Sequence, residues 1–247
     1  MISHLWLIGI GTGAMSHITL EGQQALRDAA VILLPRKGPG KDDLATLRLR
    51  IIEAAGAQAK VLPFEMPVRD ETLPYQDRVA LWHDQIAAAW QDALEEVEIS
   101  GPVALLVWGD PGLYDSTLRI ADRLSPEPAV RVVPGITALQ ALTAAHAIPF
   151  NTIDGSVCVT TGQQLRAHGL PGNADTVVVM LDGKCSFMAL DDPGLMIWWG
   201  AFLGMPEQMT LKGRLCDVGA DIVAQRAKAR ADHGWIMDTY LLRKGDR

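Results

Sequence analysis

Short, nearly uninterrupted apolar runs alternate with longer amphipathic stretches through the first half of the chain, and no other feature narrows the fold as far. LWLIGI (5–10), AVILLP (30–35), AKVLPF (59–64), VALLVWG (103–109) and VRVVPG (130–135) read as strands, with helical patterns between them at 19–29, 42–55, 76–98 and 116–125. Strands that are apolar at almost every position are buried on both faces, so helices must cover both sides of a parallel sheet. The helix over 76–98 is the clearest: Val79, Trp82, Ile86, Trp90, Leu94 and Val97 recur at three- and four-residue steps, with Asp84, Gln91, Glu95 and Glu98 on its other faces. After Pro134-Gly135 the texture changes. TALQALTAAHA reads as a helix, then VCVTTG, TVVVML, LMIWWGAF, KGRLCDV and WIMDTYLLRK as strands, with one further helix over 219–232. The expectation is a two-domain α/β chain: residues 1–134 around a mostly parallel sheet and residues 135–247 around a mixed one.

The 247 residues suffice for one large domain or two small ones. With 22 basic against 29 acidic residues the net charge is −7, which opposes a nucleic-acid partner because phosphate binding needs clustered Lys and Arg. The opening MISHLWLIGIGTG has no basic region of the kind that begins a secretory signal. The longest apolar run, GLMIWWGAFLGM (194–205), is too short for a bilayer and carries three glycines, so no membrane partner is expected. Cys158, Cys185 and Cys216 are odd in number and form no C-x-x-C, and the histidines show no H-x-x-x-H spacing. Neither a disulfide framework nor a metal site is expected, and a reducing cytoplasm is the expected location.

Gly9-Ile10-Gly11-Thr12-Gly13-Ala14 satisfies the G-x-G-x-x-G/A pattern of dinucleotide-binding loops. Its surroundings do not. The next helix starts late, with Thr19 as N-cap and Glu21 in its first turn. Strand two ends in Pro35-Arg36-Lys37 where an acidic residue should meet a ribose, and Asp28 stands at the wrong end of that strand. An NADP-type oxidoreductase using Arg36 is thus a distant alternative.

Two later strand ends carry more. Leu105–Thr117 reads LLVWGDPGLYDST, with Gly109 permitting a sharp exit and Asp110 at the carboxyl edge of the sheet, where open α/β proteins bind ligands; VVPGITALQAL places Thr137 at another such turn. A strand followed by G-x-G-x-G, then VALLVWGDPGLY, then V-x-V-V-P-G-I-T-A, in this order, resembles the tetrapyrrole (corrin/porphyrin) methylase superfamily. The resemblance continues through TVVVML and GMPEQ and covers essentially the whole chain. KGPGKDDLATLR, RVALWHDQIAAAW, WGDPGLYDSTLRI, VVMLDGKCSF, WWGAFLG and HGWIMDTYLLR narrow it to the deacetylating C-1 methylases of aerobic cobalamin biosynthesis; another precorrin C-methyltransferase is the nearest alternative. Most relatives read G-x-G-P-G-D in the first loop, from which this chain departs at Thr12 and Ala14.

The resemblance implies S-adenosylmethionine (SAM) as cofactor, bound in a cleft between the two domains by Gly109, Asp110, Leu113, Thr137, Ala138 and Leu181, with Thr12, Gly204 and Trp235 alongside. SAM has no phosphate, so turn carbonyls, a carboxylate and apolar brackets suit it better than an anion nest. The implied substrate is precorrin-5, a macrocycle bearing acetate and propionate arms. Arg36, Lys37 and Lys41 are the candidate carboxylate binders, followed by Arg48 on the next helix. Gly13 and Trp108 are placed on the substrate side, while Trp6, Trp82, Trp90, Trp198 and Trp199 read as core. Removing an acetyl group requires a base for water and a donor for the oxyanion. His17, His83 and Asp42 are the candidate bases and Tyr114 the candidate donor. A homodimer is expected by resemblance and base rate.

Overall fold

Among the described residues hydrophobic burial builds three core clusters, one on each face of the first sheet and one around the second. The computed structural model describes residues 2–36, 43–95 and 97–245, and it divides into two units, Met1–Thr137 and Ala138–Arg247.

In the first unit, β1 (His4–Gly9), β2 (Val31–Arg36), β3 (Lys60–Glu65), β4 (Val103–Val107) and β5 (Ala129–Val133) form a sheet of order β3-β2-β4-β1-β5. Every pairing in it is parallel. β4, at the centre, is buried at all of its positions, as its unbroken Val-Ala-Leu-Leu-Val run requires. Helices cover both faces. α1 (Leu20–Asp28) and α2 (Asp43–Ala54) pack on one, around Ile8, Leu26, Ile32, Ile51 and Leu106. α3 (Tyr75–Asp92) and α4 (Thr117–Ala121) pack on the other, around Leu7, Leu33, Ile86, Trp90 and Leu105. Thr19 caps α1, its hydroxyl accepting the N–H of Gly22 at 2.9 Å. Phe64 meets Trp90 edge-on with ring centroids 6.5 Å apart, joining β3 to α3. α3 ends at Asp92, short of the expected 98, because a turn through Ala93–Glu95 follows it.

In the second unit, α5 (Ala138–His146), β6 (Val157–Thr161), α6 (Gly162–His168), β7 (Thr176–Met180), β8 (Leu195–Ala201), β9 (Met209–Arg214), α7 (Leu215–His233) and β10 (Asp238–Lys244) surround a sheet of order β6-β7-β10-β8-β9. β6 and β7 run parallel and the remaining pairs antiparallel, giving the mixed sheet. Two local readings change. Leu215–Val218 in KGRLCDV is the first turn of α7, not strand: β9 alternates half-buried Met209, Leu211 and Gly213 with exposed residues, and Asp217 sits where the helix dipole favours a carboxylate. α6 was not expected, because Gly162 discourages a helix start; Thr161 nonetheless caps it from Gln164 N–H at 3.3 Å.

The last strand is fastened to α7 by one buried carboxylate. Asp238 Oδ2 accepts from Arg226 Nε at 2.9 Å and from Trp199 Nε1 at 3.0 Å, with the Arg226 and Asp238 side chains only 11% and 7% exposed. Burial opposes the Arg226 charge, and Asp238 more than restores it, raising the guanidinium above its ordinary value. Removing the carboxylate leaves a buried cation and an indole N–H unpaired. Asp238→Ala is expected to lose about 3–5 kcal/mol of stability in urea titrations.

Candidate active site

Three strand ends of the first unit meet with main chain against main chain. Gly11 and Gly109 exchange hydrogen bonds (Gly11 N to Gly109 O at 3.2 Å, Gly109 N to Gly11 O at 2.8 Å), which prolongs the β1–β4 contact into the loops. The loop after β5 packs against both: a Cβ on Gly9 would stand 2.6 Å from Gly135 N, and one on Gly135 would stand 2.1 Å from Gly109 O. Only glycine fits positions 9 and 135, since the opposing atoms are main chain and cannot move aside. Asp110 closes the arrangement. Its Oδ1 accepts the Gly112 N–H at 2.7 Å and its Oδ2 the Gly135 N–H at 2.9 Å, tying the second loop to the third. Sequence reasoning read Asp110 as a ligand contact; its geometry adds a positioning role, with one lone pair on each oxygen still available.

Around this junction, Leu113 is half-buried, and Tyr114 is 44% exposed on a left-handed backbone with φ 49°. Thr137 is half-buried and ends the unit; Ala138 opens α5 in the second. In the first loop, Thr12 is 4% exposed and its Oγ1 lies 2.9 Å from His17 Nδ1, while Gly13 takes φ 118°. Burial pushes the His17 imidazole below its ordinary value, so the ring is neutral at pH 7 and able to accept a proton. The structure therefore couples two candidates that the sequence only placed in one loop.

The other candidates disperse. His83 is buried on α3, with Nε2 lacking a hydrogen-bond partner among the described residues. Desolvation lowers its pKa, assisted by Arg123, Arg119 and Arg69. No hydrogen bond joins it to the three loops among the described residues. Arg36 is exposed at the end of β2, and Trp108 is half-buried beside Gly109. Lys37, Lys41 and Asp42 lie outside the described residues.

In the second unit Leu181 follows β7. It is 67% exposed, with φ 54°, a conformation that costs a non-glycine residue about 1–2 kcal/mol and here holds an apolar side chain in solvent. The adjoining Asp182 sustains it. This carboxylate is 5% exposed and accepts from Tyr240 Oη at 2.7 Å, Ser186 Oγ at 2.6 Å, Ser186 N at 2.5 Å, and Arg166 Nη1 and Lys184 N at 3.2 Å. The sequence carried a signal for it, an Asp-Gly pair directly after TVVVML, that was not used. Trp235 meets the ring of Phe202, two residues before Gly204, with ring centroids 5.0 Å apart. Gly204 N donates to Gln208 Oε1 at 2.7 Å, so the Gln of GMPEQ folds its own turn.

Gly135→Ala is expected to cost at least about 2 kcal/mol in denaturant titrations, through overpacking against backbone. Gly172→Ala, where an added Cβ meets nothing within 4 Å, should change little. Burial raises the pKa of Asp182, but its hydrogen bonds from Ser186, Tyr240 and Lys184 outweigh that and hold it below the ordinary carboxylate value. Its contribution to stability is thus complete above about pH 4 and lost as the pH falls through the lowered value. Asp182→Asn should flatten the stability-versus-pH curve in that acidic range and cost stability at pH 7.

Over residues 4–219 the chain matches the Tetrapyrrole (Corrin/Porphyrin) Methylases. It is 43% identical to the precorrin-6A synthase [deacetylating] of a Sinorhizobium species, the match covering 97% of this chain and 94% of that protein. Among solved structures, a putative cobalamin synthesis related protein (CobF) from Corynebacterium diphtheriae superposes with a TM-score of 0.84 at 36% identity, covering all of both chains. A uroporphyrin-III C-methyl transferase from Thermus thermophilus, complexed with S-adenyl homocysteine, shares the fold with a TM-score of 0.60 at 18% identity, over 98% of this chain and 92% of that one. By its strand-end loops, its two sheets and these likenesses, the chain belongs to the tetrapyrrole (corrin/porphyrin) methylase family.

Proposed function

We propose that the chain is a SAM-dependent C-methyltransferase of cobalamin biosynthesis, methylating precorrin-5 at C-1 with loss of the acetyl group as acetate to give precorrin-6A. The observation that carries this reading is the 43% identity to a deacetylating precorrin-6A synthase across nearly the full length of both chains.

The residues fit the cofactor. Gly109 turns its loop with φ 66°, Asp110 keeps lone pairs at the loop junction, and Leu181 is held outward as an apolar surface. Backbone groups, one carboxylate and apolar walls suit a sulfonium-bearing nucleoside without phosphates. Thr12, Gly109, Asp110, Leu113 and Thr137 of the first unit, and Ala138, Leu181, Gly204 and Trp235 of the second, are the residues proposed to hold it. When bound, SAM supplies a methyl group on a sulfonium that already leaves readily, so the protein's part in that step is positioning.

Deacetylation asks more of the chain. A water must add to the acetyl carbonyl, the carbon–carbon bond to C-1 must break with its electron pair passing into the macrocycle, and acetate must leave. His17 is the base best placed among the candidates: it is neutral, and Thr12 holds Nδ1, which leaves Nε2 for the water proton. Tyr114 is the proposed donor to the oxyanion. Gly13 and Trp108 are assigned to the macrocycle side, and Arg36, Lys37 and Lys41 to its carboxylate arms.

Incubation with precorrin-5 and methyl-labelled SAM should release acetate and incorporate label in equal amounts. Label without acetate would point to a sibling C-methyltransferase, and neither would sink the assignment. His17→Gln should lower the rate of acetate release by about 10²–10⁴-fold. It should also remove the acidic limb of the rate–pH profile, which in the native enzyme lies below the ordinary histidine value.

A further inference from the structure

β2 and β4 are paired only as far as Leu33 and Leu105, although β2 continues beside β3 to Arg36 and β4 continues beside β1 to Val107. The sheet of the first unit therefore splits at its carboxyl edge. The helices that follow the two strands, α2 and α4, pack on opposite faces, which is the arrangement that opens ligand crevices in α/β sheets. A cavity of about 200 Å³ lies at this split among the described residues.

Arg48 of α2 enters it. The carbonyl of Val107 is taken by Ile10 N on the β1 side, and that of Leu106, facing the other way, has lost its strand partner; Arg48 Nε fills the gap at 3.2 Å. Nη1 reaches Leu44 O at 3.4 Å, and Nη2 makes no hydrogen bond among the described residues. Burial lowers this guanidinium to about 10, with Asp115 partly offsetting it, so it remains a cation at neutral pH. Trp90 lines the same cavity, and its indole Nε1 is buried with no hydrogen-bond partner among the described residues. Buried donors without acceptors are uncommon in native proteins, and this residue lines the same cavity as a half-used guanidinium. Phe64, Trp82 and Trp108 add aromatic walls. Asp115 is also on the lining, with its Oδ1 engaged by Thr117 N at 2.7 Å, and its charge disfavours a multiply charged anion.

We propose that this cavity binds a short aliphatic carboxylate of two or three carbons, its oxygens taken by Arg48 and the Trp90 N–H and its hydrocarbon against the aromatic walls. Two sources share that chemistry: a carboxylate arm of the macrocycle, or the acetate set free by deacetylation. Both rest on the proposed function, the second also on its deacetylating step.

The test uses the intact chain without SAM or turnover. Titration with ¹³C-acetate and with propionate, read by NMR and by tryptophan fluorescence, should show saturable binding that inorganic phosphate does not displace. Trp90→Phe, which removes the N–H together with the five-membered part of the ring, should weaken binding about tenfold. Arg48→Met should abolish it. Arg48→Met also exposes the Leu106 carbonyl, so if that variant fails to fold, Trp90→Phe alone decides. Competition between acetate and the macrocycle identifies the arm as occupant; simultaneous binding of both identifies the released acid. Absence of saturable binding by the native chain, or unchanged affinity in Trp90→Phe, overturns the proposal. Acetate binding by a chain that releases no acetate from precorrin-5 would leave the pocket standing and remove the deacetylating assignment instead.

Discussion

Where Gly9, Gly109 and Gly135 meet, main chain touches main chain with no side chain interposed, and the position of every residue in the three loops follows from that closeness. A methyl group at Gly9 or Gly135 would push the third strand end away from the first two. Asp110 would then lose the Gly135 N–H, and the turn carrying Leu113 and Tyr114 would lose its anchor. The junction converts three parallel strand ends, each merely adjacent in the sheet, into one surface whose groups have fixed spacing. A site that works by positioning depends on such rigidity more than on any single reactive group.

The second unit solves a related problem with a carboxylate. Leu181 is placed against two preferences at once, an unfavourable backbone region and an apolar side chain in water, and the neighbouring Asp182 gathers five donors to hold the loop there. Gly162 is part of the same device, because a Cβ at that position would stand 2.3 Å from the Asp182 carboxylate. Strain of this kind persists only where its surroundings over-determine it.

The architecture was legible because β1, β2 and β4 are apolar on both faces, and a doubly covered parallel sheet is what such runs build; the edge strands β3 and β5, read from similar runs, are largely not buried, with Val130 and Val132 exposed. The loops were legible as loops from their Gly and Pro residues, and their order carried the family. What pattern reading lost were elements whose sequence conflicts with their state. α6 begins on Gly162, a poor helix former that is required there because the Asp182 side chain occupies the space of its Cβ. The first turn of α7 reads as a strand in isolation and is helical through packing of Leu215 and Ile222. Within the site, the pairing of Thr12 with His17 was invisible, since five residues of loop specify no distance. The bond from Gly135 to Asp110 was equally hidden, because Gly135 lies on another strand end.

The contact between Thr12 and His17 also has a bearing on proton inventory. Where a carboxylate orients an imidazole, it locks one tautomer and raises basicity together. A hydroxyl carries no charge and can donate or accept, so it fixes the ring's direction while leaving its basicity to burial. Orientation and proton affinity are thereby set by separate structural features. Substitutions around the ring can then tune the affinity without rotating the imidazole.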